Sequence, residues 1–170
     1  MRKIAVVTGA TSGIGQATAI KLAENGYDLV ITGRRAERLS ELEEKLRKIG
    51  ADVLSLCFDV RSFEQVKDNL GKLSGKWSDI DVLVNNAGGA LGKEPIQDGS
   101  IEDWDTMIDT NVKGLLYVTK TLLPKMCQNH KGHVVNLCSI AGKQVYGEGN
   151  VYCASKHAVD AISKGIRIDA

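Results

Sequence analysis

The chain has 170 residues, of which 43% are hydrophobic, and its 22 Lys and Arg against 21 Asp and Glu give a net charge of +1. This length and composition predict one globular domain with a layered core. The balanced charge argues against binding to nucleic acid or membrane surfaces, and no apolar run approaches the ~20 residues of a membrane span. No secretory leader is expected, because a strand pattern begins at once.

Five short apolar runs predict β-strands, and segments with helical spacing separate them. The runs cover about residues 4–8, 28–32, 53–58, 80–84 and 133–138. Such alternation predicts an α/β fold with a doubly wound parallel sheet of the Rossmann type. Its crossovers are expected to be right-handed, and its ligands to bind at the carboxyl ends of the strands.

Helices are predicted where apolar residues recur every three or four positions. The stripes are Leu39, Leu42, Leu46 and Ile49, followed by Gly50 as a stop signal, and then Phe63, Val66, Leu70 and Leu73. A longer segment, about residues 101–127, carries too many apolar residues for one face of a helix in water. We expect it to pack against both the sheet and a partner.

A glycine-rich turn separates the first predicted strand from the first helix. It reads Gly9-Ala10-Thr11-Ser12-Gly13-Ile14-Gly15. Glycines let the backbone turn sharply, and the following helix presents free N–H groups and a positive dipole end to an anion. A lone glycine cluster is also common in ordinary turns. In this order of strand, turn and helix, we expect a pyrophosphate site contacted by Gly9, Thr11, Ser12, Gly13, Ile14 and Gly15.

Two arginines, Arg34 and Arg35, follow the second predicted strand. An NAD-selective site usually has an acid there to bind the ribose 2′-hydroxyl, whereas the first acid in this segment is Glu37. Two guanidinium groups without a nearby carboxylate suit a 2′-phosphate. The segment therefore predicts NADP rather than NAD, with the alternative that both arginines merely open a solvated helix.

A tyrosine and a lysine, Tyr152 and Lys156, stand at positions i and i+4 and follow Ser139 in the chain. On a helix, this spacing puts the two side chains on one face with Cβ atoms about 5–6 Å apart. A phenol has a reference pKa of about 10, and lowering it to about 7 needs roughly 4 kcal/mol, which nearby positive charge can supply. Taken alone, the pair is typical of a helix surface. Ser139 ends an apolar run, so its hydroxyl is expected at the ligand-binding edge of the sheet.

Four elements together resemble the short-chain dehydrogenase/reductase family. They are Thr8-Gly9-x-x-x-Gly13-x-Gly15, Asn85-Asn86-Ala87-Gly88, Ser139 and Tyr152-x-x-x-Lys156. The resemblance runs from the first residue to the last. Within the family, residues 32–35, 85–92 and 102–111 look most like the NADP-dependent 3-hydroxy acid (serine/threonine-type) dehydrogenase branch.

The resemblance implies an oxidoreductase that transfers a hydride between NADP and a small alcohol or 3-hydroxy acid, or the matching carbonyl compound. It implies that Tyr152 exchanges the proton, that Ser139 holds the substrate oxygen and that Lys156 serves both the phenol and the nicotinamide ribose. Asn111 is implied to hold a water that relays protons to Lys156. The alternative for Asn111 is a hydrogen-bonded amide in the core.

The resemblance also implies the contacts of the adenosine half. Asp59 and Val60 are expected at the adenine, with the carboxylate accepting from the amino group. Asp59 has the alternative of capping the next helix. Asn86 is expected near the adenosine ribose, and Asn85 is expected to brace neighbouring strands.

The cysteines and histidines suggest no metal site. The cysteines are Cys57, Cys127, Cys138 and Cys153, and the histidines are His130, His133 and His157. Without Cys-x-x-Cys spacing, the four thiols are expected to be reduced and packed inside a cytoplasmic protein. The histidines have no carboxylate or cysteine neighbours at ligand spacing, so surface or structural roles are expected.

Relative to the family, the sequence looks incomplete at its C-terminal end. Family members continue through two more strands, a Pro-Gly loop that contacts the nicotinamide, and a mobile substrate lid. Residues 1–170 are therefore predicted to form one dinucleotide-binding and catalytic domain without these parts. The alternative function is that of a nucleotide-binding fragment with little or no turnover. An intact chain is expected to form a homodimer or homotetramer through its long helices.

Overall fold

Five parallel strands form one sheet in the computed structural model, which describes residues 2–170. They are β1 (Lys3–Val7), β2 (Tyr27–Gly33), β3 (Val53–Cys57), β4 (Val82–Asn85) and β5 (His133–Asn136). Their order across the sheet is β3-β2-β1-β4-β5. The order therefore reverses between β1 and β4, and a crevice forms at such a switch point in sheets of this kind.

Six α-helices accompany the strands in residues 2–170. They are α1 (Gly13–Glu24), α2 (Ala36–Lys48), α3 (Phe63–Leu70), α4 (Ile101–Ile108), α5 (Leu115–Gln128) and α6 (Asn150–Asp169). None of the helices within residues 2–170 is long and apolar enough to cross a membrane.

The central strand β1 is buried on both faces of the sheet. Ala5 and Val7 join a core cluster that includes the apolar side of α2, whereas Ile4 and Val6 join a cluster that includes α3 and α5. Alternate residues of a strand point to opposite faces, so the sheet has a helical layer on each side. The predicted doubly wound α/β fold is confirmed.

The helix stripes were predicted correctly in their centres and incorrectly at their ends. Leu39, Leu42 and Leu46 are buried on α2, but Ile49 lies beyond the helix and is exposed. The chain leaves the helix there because Gly50 adopts a φ of +90°. In the second stripe, Phe63 is exposed at the first position of α3, where no preceding turn covers it.

The long apolar segment after β4 is two helices joined by a π-helical turn. The turn covers Asp109–Gly114, between α4 and α5, and Asn111 is buried within it. A π turn inserts an extra residue into a helix and often marks a functional site. Apolar spacing alone could not indicate it, because both flanking helices have the ordinary period.

The prediction that all four thiols are packed was wrong for three of them. All four are free, but only Cys153 is buried, while Cys57, Cys127 and Cys138 are exposed. Cys57 ends the edge strand β3 and Cys138 follows the edge strand β5. Exposure at these positions follows from the strand order, which local sequence does not reveal.

Candidate active site

A cleft of about 600 Å³ lies at the carboxyl ends of the strands. This volume is in the range of ordinary small-molecule sites. The predicted site residues that line the cleft are Gly9, Thr11, Ser12, Gly13, Ile14, Arg34, Arg35, Asp59, Val60, Asn86, Asn111, Tyr152 and Lys156. Gly15 and Ser139 are not among the lining residues. The fold thus brings most of the predicted residues to one place.

The glycine turn packs closely against the end of β4. A Cβ atom at Gly15 would clash with the side-chain amide of Asn86 and lie 2.5 Å from the main-chain oxygen of Gly9. Gly9 has a φ of +63°, and a Cβ there would lie 2.8 Å from the Cα atom of Ala87. Both positions therefore require glycine, and Gly15 contributes through packing rather than as part of the cleft wall.

Asn86 ties the two central strands together at the cleft. Its Nδ2 atom donates to the main-chain oxygens of Thr8 at 2.9 Å and Gly9 at 3.0 Å, and its main-chain N–H donates to Thr8 Oγ1 at 3.0 Å. These bonds fix the entry of the glycine turn. In the preceding residue, Asn85 Nδ2 donates to Asn136 of β5 at 2.9 Å, so Asn85 braces neighbouring strands as expected.

The two arginines after β2 have different environments. Arg35 Nη2 donates to Thr11 Oγ1 at 2.7 Å and to Ser12 Oγ at 2.9 Å, which holds its guanidinium against the glycine turn. The Arg34 side chain is 62% exposed, and its Nη1 atom lies 3.8 Å from Asp59 Oδ2. Asp59 is the one acid among the described residues that line the cleft. The cleft therefore has positive charge at the end of β2.

Asp59 is held by Arg61, a residue that the sequence analysis did not single out. Burial raises the pKa of the Asp59 carboxyl, but hydrogen bonds from Arg61 and the charges of Arg61 and Arg34 outweigh this effect, so that the pKa lies below its ordinary value. The carboxylate is thus ionised at neutral pH. The alternative helix-capping role of Asp59 was wrong, because Ser62 caps α3 by accepting from Gln65 N–H.

Lys156 lies at the inner end of the cleft beside Tyr152. It is only 7% exposed, and its Nζ atom lies 5.9 Å from the centre of the Tyr152 ring. Burial lowers the pKa of Lys156 below its ordinary value, although the nearby Cys138 acts in the opposite direction. A cation taken out of water in this way favours negative charge close to it. Both residues lie on α6, so the helical spacing of the sequence is realised.

Ser139 lies next to the cleft rather than in its wall. Its Oγ atom accepts a hydrogen bond from Ala141 N–H at 3.2 Å, which caps the short turn Ile140–Gly142. Because the oxygen is the acceptor in this bond, the hydroxyl proton remains available for another partner. The adjacent Cys138 does line the cleft.

Asn111 is buried, and both N–H groups and one acceptor position of its side-chain amide are used within the protein. Its Nδ2 atom donates to Gly89 O at 2.9 Å and to Ser155 Oγ at 3.0 Å, and its Oδ1 atom accepts from Gly89 N–H at 2.9 Å. Ser155 Oγ in turn donates to Tyr152 O at 2.8 Å. The sequence analysis did not identify Ser155 as a residue of the site. The available signal was its position directly before Lys156.

The histidines are not grouped with other metal-binding side chains. Across residues 2–170, no cluster of three or more His, Cys, Asp or Glu side chains is arranged to hold a metal ion. The Nδ1 atom of His157 lies 2.9 Å from the main-chain oxygen of Cys153, within α6.

Comparison with known proteins identifies relatives along nearly the whole chain. NADP-dependent 3-hydroxy acid dehydrogenase YdfG of Salmonella typhi is 48% identical over 98% of this chain. Serine 3-dehydrogenase of Rhizobium radiobacter is 45% identical over 96% of this chain. The chain spans 66% of the length of the first relative and 64% of the second.

Solved structures show the same architecture. A crystal structure of serine dehydrogenase from Escherichia coli matches with a TM-score of 0.91 at 44% identity, covering 98% of this chain and 76% of that one. The NAD⁺-bound xylitol dehydrogenase matches with a TM-score of 0.94 at 32% identity, covering 98% of this chain and 64% of that one.

The family assignment rests on these matches and on the cleft. Residues 3–170 match the family described as short chain dehydrogenase. The relatives carry the names of the branch that residues 32–35, 85–92 and 102–111 indicated. This chain therefore belongs to the short-chain dehydrogenase family and is similar to its NADP-dependent 3-hydroxy acid dehydrogenase branch.

Proposed function

We propose that this chain binds NADP in the cleft and catalyses hydride transfer between NADP and a small alcohol or 3-hydroxy acid, or the matching carbonyl compound. The observation that carries the proposal is the burial of Lys156 beside the Tyr152 ring, in the same cleft as the glycine turn. The names of the relatives support it: YdfG is called NADP-dependent, and one similar structure is serine dehydrogenase complexed with NADP⁺.

The residues of the cleft fit NADP. The glycine turn and the start of α1 offer free N–H groups to the pyrophosphate. Arg34 and Arg35 offer charge-assisted hydrogen bonds to the 2′-phosphate, and β2 ends at Gly33 without an acid that would repel it.

The adenosine half is proposed to lie across the carboxyl ends of the strands from β3 to β4. Asp59 is ionised, so it can accept from the adenine amino group, and Val60 supplies apolar contact. Asn86 acts near the adenosine ribose mainly by fixing the glycine turn, since its Nδ2 atom already donates to two main-chain oxygens.

The proposed chemistry divides among the residues around Lys156. NADP, when bound, supplies or accepts the hydride at its nicotinamide ring. The Tyr152 hydroxyl exchanges the proton with the substrate oxygen, and the buried Lys156 ammonium stabilises negative charge on that phenol. Ser139 can donate its free hydroxyl proton to the substrate oxygen. Asn111 is proposed to relay protons through a water at Oδ1, because both of its side-chain N–H groups are already used.

The test is a comparison of two tyrosine variants. The wild-type chain, Tyr152→Phe and Tyr27→Phe are assayed for NADP-dependent oxidation of small 3-hydroxy acids and for NADP binding. Tyr27 lies at the start of β2, the end of the strand opposite the cleft, and does not line it, so its variant is expected to behave like the wild type. Tyr152→Phe is expected to bind NADP without turnover. Wild-type binding of NADP without any turnover would instead favour the second candidate, a nucleotide-binding protein.

We further propose a cytoplasmic homodimer or homotetramer that associates through α4 and α5. Free exposed thiols suit a reducing compartment. On α5, Leu116 is exposed, as is Ile101 at the start of α4. Light scattering on the wild type and on Leu116→Lys tests the association, which the added charge is expected to weaken.

A further inference from the structure

The carboxylate of Asp59 lies near two arginines, and its interactions with them differ. Arg61 donates from its main-chain N–H to Oδ1 at 3.0 Å, and from Nε at 2.9 Å and Nη2 at 2.7 Å to Oδ2. Arg34 approaches the same Oδ2 atom only to 3.8 Å. One arginine therefore forms three hydrogen bonds with the acid, and the other forms none.

The two arginines also differ in their relation to the cleft. Arg34 lines the cleft, whereas Arg61 does not. The Asp59 side chain is only 22% exposed, so water screens its charge incompletely. Hydrogen bonding to Asp59 and the charge of Asp59, with a smaller contribution from the charge of Asp109, hold the pKa of Arg61 above its ordinary value. Arg61 is therefore charged at neutral pH, as its pairing with Asp59 requires.

We propose that Arg61 is a specificity-determining residue for the 2′-phosphate of NADP, because its pairing with Asp59 leaves Arg34 available to bind that phosphate. This inference rests on the proposed function. It concerns a residue outside the cleft that acts by competition for a single carboxylate.

The competition follows from distance and charge. A charge-assisted N–H···O⁻ bond is about 2.7–2.9 Å long, so Arg34 has to move only about 1 Å to bond Asp59 directly. With Arg61 in place, Oδ2 already accepts two bonds and attracts Arg34 weakly. Without Arg61, the half-buried carboxylate loses its partner, and Arg34 is the nearest cation that can replace it. Binding of the phosphate would then require breaking this new pair.

The experiment isolates the contribution of the 2′-phosphate to binding. Dissociation constants are determined for 2′,5′-ADP and 5′-AMP, which differ only in that phosphate, so contacts to adenine cancel in their ratio. The variants are Arg61→Met, Asp59→Asn, the double variant and Arg61→Lys, with Arg167→Met as a control on the exposed end of α6. Thermal unfolding of each variant is recorded in parallel.

We expect the second substitution, Asp59→Asn, to reverse the effect of Arg61→Met on the preference for 2′,5′-ADP. Arg61→Met lowers the preference for 2′,5′-ADP by about fivefold, as expected for a partly exposed ion pair. The double variant with Asp59→Asn restores the preference, because the competing charge is gone. Arg61→Lys keeps most of the preference, and Arg167→Met leaves it unchanged.

Other outcomes overturn specific statements. An unchanged ratio in Arg61→Met removes this inference and leaves the proposed function standing. A ratio that falls in Arg61→Met and stays low in the double variant would show that Arg61 itself binds the phosphate or supports the fold. A wild-type protein without any preference for 2′,5′-ADP would contradict the NADP assignment on which both proposals rest.

Discussion

The Nζ atom of Lys156 donates a 2.7 Å hydrogen bond to the main-chain oxygen of Leu137, directly after β5. The ammonium is thus attached to the sheet as well as to α6. Because Leu137 follows an edge strand, the position of the ammonium beside Tyr152 depends on how β5 pairs with β4.

Lys156→Met is expected to separate stability from activity. Burial lowers the pKa of Lys156 in the folded protein. Below this lowered pKa, the buried charge reduces the free energy of unfolding, and the reduction disappears as the pH rises toward the ordinary pKa of lysine. Methionine has a similar length without the charge, and the variant is expected to be at least as stable at neutral pH. Turnover is expected to fall by about 10²–10⁴-fold. A parallel loss of thermal stability and activity would show that the lysine is structural.

Arg34→Asp is expected to weaken NADP binding by roughly 2–4 kcal/mol, because it removes a charge-assisted phosphate contact and adds repulsion. The affinity for NAD is expected to change little or to improve. Arg38→Asp makes the same charge change one turn away, at a residue that does not line the cleft, and serves as the control. Titrations with NADP and NAD give the affinity of each variant for both nucleotides. An unchanged NADP affinity in Arg34→Asp would show that the 2′-phosphate binds elsewhere.

Gly15→Ala is expected to lower both stability and nucleotide affinity. The new methyl group would collide with the Asn86 amide and the Gly9 oxygen, at a cost of roughly 1–3 kcal/mol for overpacking. Gly165→Ala is the matched control, since this helical glycine has open space around it. The control is expected to be neutral or to stabilise by at most about 1 kcal/mol. Denaturant unfolding gives the free energy of unfolding of both variants. Equal values for Gly15→Ala and Gly165→Ala would contradict the close packing of the glycine turn.

Asn111→Leu is expected to destabilise the protein by roughly 2–4 kcal/mol, because it leaves the Gly89 N–H and C=O groups without partners and removes the bond to Ser155 Oγ. Ser155→Ala removes only one of these bonds and is expected to cost about 1 kcal/mol. Urea unfolding of both variants gives the ranking. A larger loss in Ser155→Ala would mean that the serine, not the asparagine, anchors this part of α6.

Asp160 is expected to stabilise the fold in a defined pH range. Hydrogen bonds from Lys143 and Lys164 lower the pKa of Asp160 to about 2. The folded-state pKa is depressed, so the contribution is present above about pH 4, the ordinary range of Asp, and is lost as the pH falls through about 2. The effect is small because both lysine partners are exposed, so water screens the ion pairs. Melting temperatures of the wild type and Asp160→Asn are expected to differ at neutral pH and to converge at pH 2.

The sequence predicted the strands to within about two residues, and most of the predicted site residues line the cleft. Period and β-branched composition locate strands, and parallel strand ends converge on one edge, so Gly9, Arg34 and Asp59 meet as expected. The partner of Asp59 could not be predicted in the same way. From the sequence, Asp59 could also have capped the next helix. In the structure Ser62 caps that helix, and the Asp59 carboxylate accepts hydrogen bonds from Arg61 instead.

Other features depend on the whole sheet. The exposure of Cys57 and Cys138 follows from which strands lie at the edges, and strand order is a long-range property. The engagement of Asn111 by Gly89 and Ser155 depends on the π turn, which apolar periodicity does not indicate.

The central position of β1 determines when the cleft can form during synthesis. Asn86 and Thr8 are 78 positions apart in the chain, yet they are joined by a hydrogen bond. While the chain grows, β1, β2 and β3 can pair early, but one edge of β1 stays open until β4 emerges and docks. The bonds from Asn86 to the glycine turn form only with that event, so we expect nucleotide to bind after β4 has docked. Once the sheet is complete, the amide protons of β1 lie between two neighbouring strands and are expected to exchange with solvent most slowly.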